Sequence, residues 1–133
     1  MIREKIRENT MQIIFQMDTA GTYDYEKMTI LEENSEVLKQ NQAVSTLCAI
    51  RDHIEEIDQI IERNTDNWKT SRIAKTDLAI LRLAVCEMKY EDNIPRSVSI
   101  NEAVNLAKKY GDNRSYAFIK SVLSRVNREL EAY

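Results

Sequence analysis

Glycine and proline are almost missing: two glycines and one proline serve 133 residues, too little punctuation for the many tight turns of a sandwich or barrel. The fold class this predicts is all-α. The single histidine, His53, has no cysteine or second histidine near it in sequence, so no metal site is expected around it and a surface position is. Cys48 and Cys86 lie among apolar neighbours and belong to no paired-cysteine motif of the zinc or redox kind. They are read as reduced core thiols of a cytoplasmic protein. There is no Gly-rich phosphate loop, no nucleophile with a histidine beside it and no carboxylate pair in an apolar setting. Neither a cofactor nor catalysis is therefore expected. No signal peptide is read at the start, and no apolar stretch reaches the roughly 20 residues of a membrane span.

What the chain does have is one organising stretch. From Ile73 to Tyr90 it reads IAKTDLAILRLAVCEMKY, and between Leu78 and Cys86 only Arg82 is polar. A helix that is apolar around its whole circumference must be buried on every side, which predicts a central core helix. Arg82 then needs a carboxylate partner, for which Asp77, Glu87 and Glu102 are candidates.

Before that stretch, a helix is predicted from Arg3 to Thr19, stopped by Gly21, with Ile2, Ile6, Thr10, Ile13, Ile14 and Met17 on its inward stripe. Arg3, Arg7, Met11 and Phe15 form an i, i+4 ridge turning away from that stripe. Phe15 either packs beneath a neighbouring helix or contacts a partner or a base. Tyr23 to Gln42, with Met28, Ile30, Leu31, Val37 and Leu38 among polar residues, is read as one helix. Ala43 to Arg63 is a clearer one through Val44, Leu47, Ile50, Ile54, Ile57 and Ile61. The polar segment Asn64 to Ser71 breaks the pattern, and its Trp68 is expected to plug a joint between two bundles. After a turn around Pro95, Ser99 and Glu102 read as a capping box opening a helix from Ile100 to Tyr110, with Gly111 as a left-handed cap. The last helix is predicted from Arg114 to Glu131, capped by Asp112 or Asn113. Its Ile119, Val122, Leu123, Val126 and Leu130 face inward and Arg114, Arg125 and Arg128 outward.

The net charge of −3 conceals an asymmetry: residues 1–66 sum to −7 and residues 67–133 to +4. A basic half on an acidic chain fits a polyanion site or a mutual balance of halves, and the outward arginines fit solvent or phosphate. Composition and spacing reach a helical binding module and stop there.

The segments TDLAILRLAVCEMKY, IPRSVSINEAVNLAKKYG and SYAFIKSVL, with RENTMQIIFQMD at Arg7 to Asp18, resemble the NusB family of bacterial transcription antitermination factors. The resemblance covers nearly the whole chain and is most specific from Trp68 to Leu123. It implies a single domain of two small helical bundles, 1–67 and 68–133, packed together around the central apolar helix. It also implies a cytoplasmic, non-catalytic protein that pairs with the ribosomal protein NusE and binds single-stranded boxA-like RNA of ribosomal RNA leaders. Such a protein joins the RNA polymerase antitermination complex, and its partner surface could instead be hidden in a homodimer. The family's arginine-rich first helix maps onto Arg3, Lys5 and Arg7 as RNA contacts, although Glu4 and Glu8 leave this arm at only +1. Its partner-facing residues map onto Phe15 and Asp77, and Phe118 is placed with them. The family's usual Asn-Gly after the Phe-aliphatic pair is Lys120-Ser121 here, and a position often acidic is Arg114. Both changes add positive charge, so Arg114 and Lys120 join the RNA-binding set on charge rather than on family pattern. The alternative is a helical adaptor that binds protein through Phe15 and Asp77 without touching RNA.

Overall fold

The computed structural model describes residues 2–28 and 36–132. Their α-helices are α1 (Arg3–Ala20), α2 (Asn41–Arg63), α3 (Lys75–Tyr90), α4 (Arg96–Tyr110) and α5 (Ser115–Glu131), with no strand among the described residues. The apolar stretch becomes α3, and it is buried on every side as its composition requires: each residue from Asp77 to Met88 is buried. α1 and α2 pack against each other and against α3, and so do α4 and α5. Ile80, Leu81 and Val85 are fully enclosed, each contributing roughly 1.5–3 kcal/mol of burial. No described helix is long and apolar enough to cross a membrane.

α1 runs close to its predicted span and ends in a left-handed Gly21, φ 73°, whose N–H donates to the Met17 carbonyl. Ile2 departs from the predicted stripe. It precedes the helix in extended backbone and is exposed. The helix predicted for Tyr23 to Gln42 is absent from the described part of that segment, where 3-10 turns at Tyr25–Lys27 and Val37–Lys39 stand instead. Asp24 explains the first of these, since its carboxylate takes the Glu26 N–H and its own N–H goes to the Thr22 hydroxyl, local bonds that compete with a helix. Tyr25, Met28 and Val37 still reach the core; Ile30 and Leu31 lie outside the described residues. α2 is interrupted by non-helical backbone at His53, whose exposed ring stacks on Tyr90 at 4.4 Å.

Arg82 is held by a different acid from those predicted. Its Nε and Nη2 each donate to Asp58 at 2.9 Å, Nη1 reaches Asp18 at 3.4 Å, and the guanidinium lies 5.1 Å from the centre of the Tyr23 ring. Glu87, one of the predicted partners, is occupied elsewhere.

Trp68 does not plug the joint. Asn64 and Thr65 are buried there instead, Asn64 Nδ2 donating to the Ile60 carbonyl and Thr65 Oγ1 to the Glu62 carbonyl. Two consecutive residues in the left-handed region, Asp66 and Asn67, then turn the chain outward, and asparagine and aspartate tolerate that region better than most. Trp68 emerges 48% exposed.

The capping box is also corrected. α4 opens three residues earlier, directly after Pro95, and Ser99 is buried inside it with its hydroxyl donating to Glu87 at 2.9 Å. Gly111 is extended, φ −86° and ψ −177°, not left-handed. Its glycine is required by space, because a Cβ would lie 2.5 Å from the Ser115 Cβ and 2.8 Å from the Ala107 carbonyl oxygen. Asp112 then stands at the start of α5, accepting from the Arg114 N–H at 2.8 Å.

Candidate nucleic-acid interface

Of the three cations predicted in the α1 arm, Arg7 is not at the surface. It is 4% exposed, and its Nε is shared between the two carboxylate oxygens of Glu87 at 3.1 and 3.0 Å. Glu87 on α3 also accepts from Ser99 on α4, so the three residues tie α1, α3 and α4 together. Helical spacing put Arg7 on the same ridge as Arg3. One turn into α1, however, that ridge has already rotated under α4, so Arg7 is a structural cation and leaves the RNA-contacting set.

Arg3 and Lys5 are exposed. Lys5 lies 3.5 Å from Glu8 on the next turn, and Glu8 reaches across to α4, where Lys109 donates to it at 2.8 Å and the Tyr110 hydroxyl donates a short bond. The Lys109 and Tyr110 bonds hold the Glu8 carboxyl at about 2, against the opposing effect of burial. The same bond raises the Lys109 pKa, so Lys109 stays charged. Its neighbour Lys108 places its ammonium 5.5 Å from the centre of the Tyr116 ring on α5, an exposed cation–π contact. Lys120 is exposed one turn beyond Tyr116. A run of contacts therefore joins the arm to the last helix: Lys5, Glu8, Lys109, Lys108, Tyr116, Lys120.

Lys108, Lys109 and Tyr116 were missed from sequence, although the doublet KKY at a helix end was a signal: cations there complement the helix dipole and remain available to an anion. Arg114 is exposed at the first turn of α5. The outward arginine face is less uniform than predicted, because Arg125 pairs with Asp66 at 3.2 Å.

The three predicted partner-facing residues fall in two adjoining grooves. Phe15 lines one of about 250 Å³ with Met11, Gln12, Gln16, Thr76 and Tyr110. Asp77 and Phe118 line the other, of about 280 Å³, with Trp68, Arg72 and Arg114. The grooves meet where Thr76 is followed by Asp77 and Tyr110 leads through Gly111 to Asp112. Asp77 differs from its predicted surface role. It is 8% exposed and forms part of the floor, where burial pushes its carboxyl pKa up, Asp112 adds to the rise and a Ser115 hydrogen bond opposes it. A larger hollow, about 630 Å³, runs along α2 from Arg51 to Gln59, away from these residues. Among the described residues no group of acids, histidines and cysteines is placed to hold a metal ion.

The sequence model of the NusB family matches residues 4–128. The transcription antitermination protein NusB of Agathobacter rectalis is 44% identical over 129 residues, covering 94% of this chain and 98% of its own. That of Bacillus mycoides is 41% identical over 131 residues, covering 98% and 100%. The solved NusB of T. maritima superposes with a TM-score of 0.80 at 26% identity, over 97% of this chain and 92% of that one. A chain from the crystal structure of antitermination factors NusB and NusE in complex with double-stranded RNA superposes with a TM-score of 0.76 at 26% identity, over 100% of both. With the match running from the first turn of α1 to the last helix, and the buried α3 at its centre, this chain belongs to the NusB family.

Proposed function

We propose that this protein is a non-catalytic transcription antitermination factor of the cytoplasm. It binds single-stranded, boxA-like RNA of ribosomal RNA leaders together with the ribosomal protein NusE, within the RNA polymerase antitermination complex. The observation that carries the RNA part is the run of cations linking Lys5 to Lys120 through Lys109 and Lys108, with Arg3 and Arg114 exposed near its ends. Phosphate contacts of this kind set affinity and register, while unstacked bases supply sequence preference. The two grooves lined by Phe15 and Phe118 offer the protein partner an apolar surface, and a relative's chain solved with NusE and double-stranded RNA supports both classes of partner.

The test is a titration of labelled boxA-like RNA into the protein, with and without NusE. Binding that tightens when NusE is present is the expected result. RNA binding in neither arm, with NusE still captured, would replace this reading with that of a protein adaptor.

A further inference from the structure

Trp68 is the only tryptophan of the chain, and nearly half of its surface faces solvent. Its ring centre lies 6.3 Å from that of Phe118, with the planes tilted by 32°. Together they wall a groove of about 280 Å³, a little below the ~300–1,000 Å³ of pockets for drug-sized ligands. Ile73 and Ala74 extend the apolar wall, and Arg72 and Arg114, both exposed and from separate parts of the chain, stand at the groove. Asp77 lines its floor, and its Oδ1 is enclosed with no hydrogen-bond donor. A buried carboxylate oxygen left without a donor is costly and needs an explanation.

We propose that this groove takes one unstacked base of the bound RNA, stacked on the Trp68 ring, with Asp77 accepting a hydrogen bond from its exocyclic amino group and Arg72 and Arg114 holding the flanking phosphates. The proposal rests on the RNA-binding reading above and adds to it a base-selecting pocket away from the lysine run. Aromatic faces accept any base, whereas a carboxylate acceptor favours one bearing an amino group, as in the pairing of Asp or Glu with the cytosine N4 amine. Uracil carries a carbonyl oxygen at that position and is disfavoured. Reaching Asp77 requires the Trp68 ring to swing aside, and its exposure leaves it room to do so. A cationic side chain of a protein partner would have to pass Arg72 and Arg114 to reach the same acid, whereas an RNA backbone is drawn to them.

The experiment uses the single tryptophan as its own reporter. Oligo(C) and oligo(U) RNA decamers are titrated into the full chain, with and without the NusE partner, following Trp68 fluorescence and, separately, the anisotropy of the labelled RNA. Quenching that saturates with the binding isotherm is expected, with oligo(C) bound at least about fivefold more tightly than oligo(U). Asp77→Asn should narrow that difference while keeping the quench. Trp68→Ala should weaken binding by roughly 5- to 150-fold, with its helical circular dichroism unchanged. RNA that binds without altering the fluorescence, with equal affinity for the two decamers, overturns the pocket and leaves the antitermination reading standing. No RNA binding by the unmodified chain, with or without the partner, removes both. If Trp68→Ala and Asp77→Asn weaken only the protein partner, the groove is a protein-docking surface and the proposal is wrong.

Discussion

Arg7→Ala is the substitution on which a buried and an RNA-contacting role for the α1 arm part company. The Arg7 and Glu87 side chains are 5% and 2% exposed and 3.0 Å apart. Removing the guanidinium leaves a carboxylate enclosed between α1, α3 and α4 with only the Ser99 hydroxyl to bond it. Breaking a buried pair in this way costs about 3–5 kcal/mol, a large part of the roughly 5–15 kcal/mol that keeps a domain folded. For a chain of this length the melting temperature should fall by roughly 10–18 °C. Urea unfolding followed by circular dichroism measures the loss. The double variant Arg7→Met with Glu87→Leu removes both charges at once and should recover most of it, since replacing a buried pair by apolar groups is often neutral or better. A single variant that stays within about 1 kcal/mol of the parent while losing RNA binding at low salt would refute the reasoning and restore Arg7 to the interface.

Gly111→Ala brings a Cβ within 2.5 Å of Ser115 and 2.8 Å of a backbone carbonyl, so the turn between α4 and α5 must open. A loss of about 1–3 kcal/mol is expected in the same unfolding assay, and an unchanged midpoint would contradict it. Glu8 contributes a pH dependence with a definite sign. Its carboxyl is lowered from 4.5 to about 2 by Lys109 and Tyr110, so its contribution is complete above about pH 4.5 and is lost as the pH falls towards 2. The urea midpoint of the parent should drop more steeply over that window than that of Glu8→Gln; parallel curves would rule the bridge out as a stabilising contact.

The legibility of the chain followed a physical division. α3 could be read from composition because an apolar circumference admits only burial, and α1, α2 and α5 could be read from periodicity. What escaped were choices among polar partners. Arg82 had three acids nearby in sequence but is bonded by Asp58 and Asp18, which only the packing of α1 and α2 on α3 brings to it. Ser99 with Glu102 matched a local capping pattern, yet the buried Glu87 takes the serine hydroxyl from another helix. Trp68 was assigned by size to a joint that Asn64 and Thr65 fill with satisfied hydrogen bonds. In the candidate interface the individual cations Arg3, Lys5, Arg114 and Lys120 could be named from sequence. Their linkage through Lys108 and Lys109 could not, because it depends on how the end of α4 meets both α1 and α5.

The central claim, that surface cations of α1 and α5 carry the RNA phosphates while Arg7 carries the fold, meets its most direct test in the salt dependence of RNA affinity. If Arg3, Lys5, Arg114 and Lys120 each neutralise one phosphate, log K against log salt should fall with a slope of about −3 for a single strand, and Arg114→Ala with Lys120→Ala should roughly halve it. A parent slope near zero, or a slope that the double variant leaves unchanged, would contradict the account.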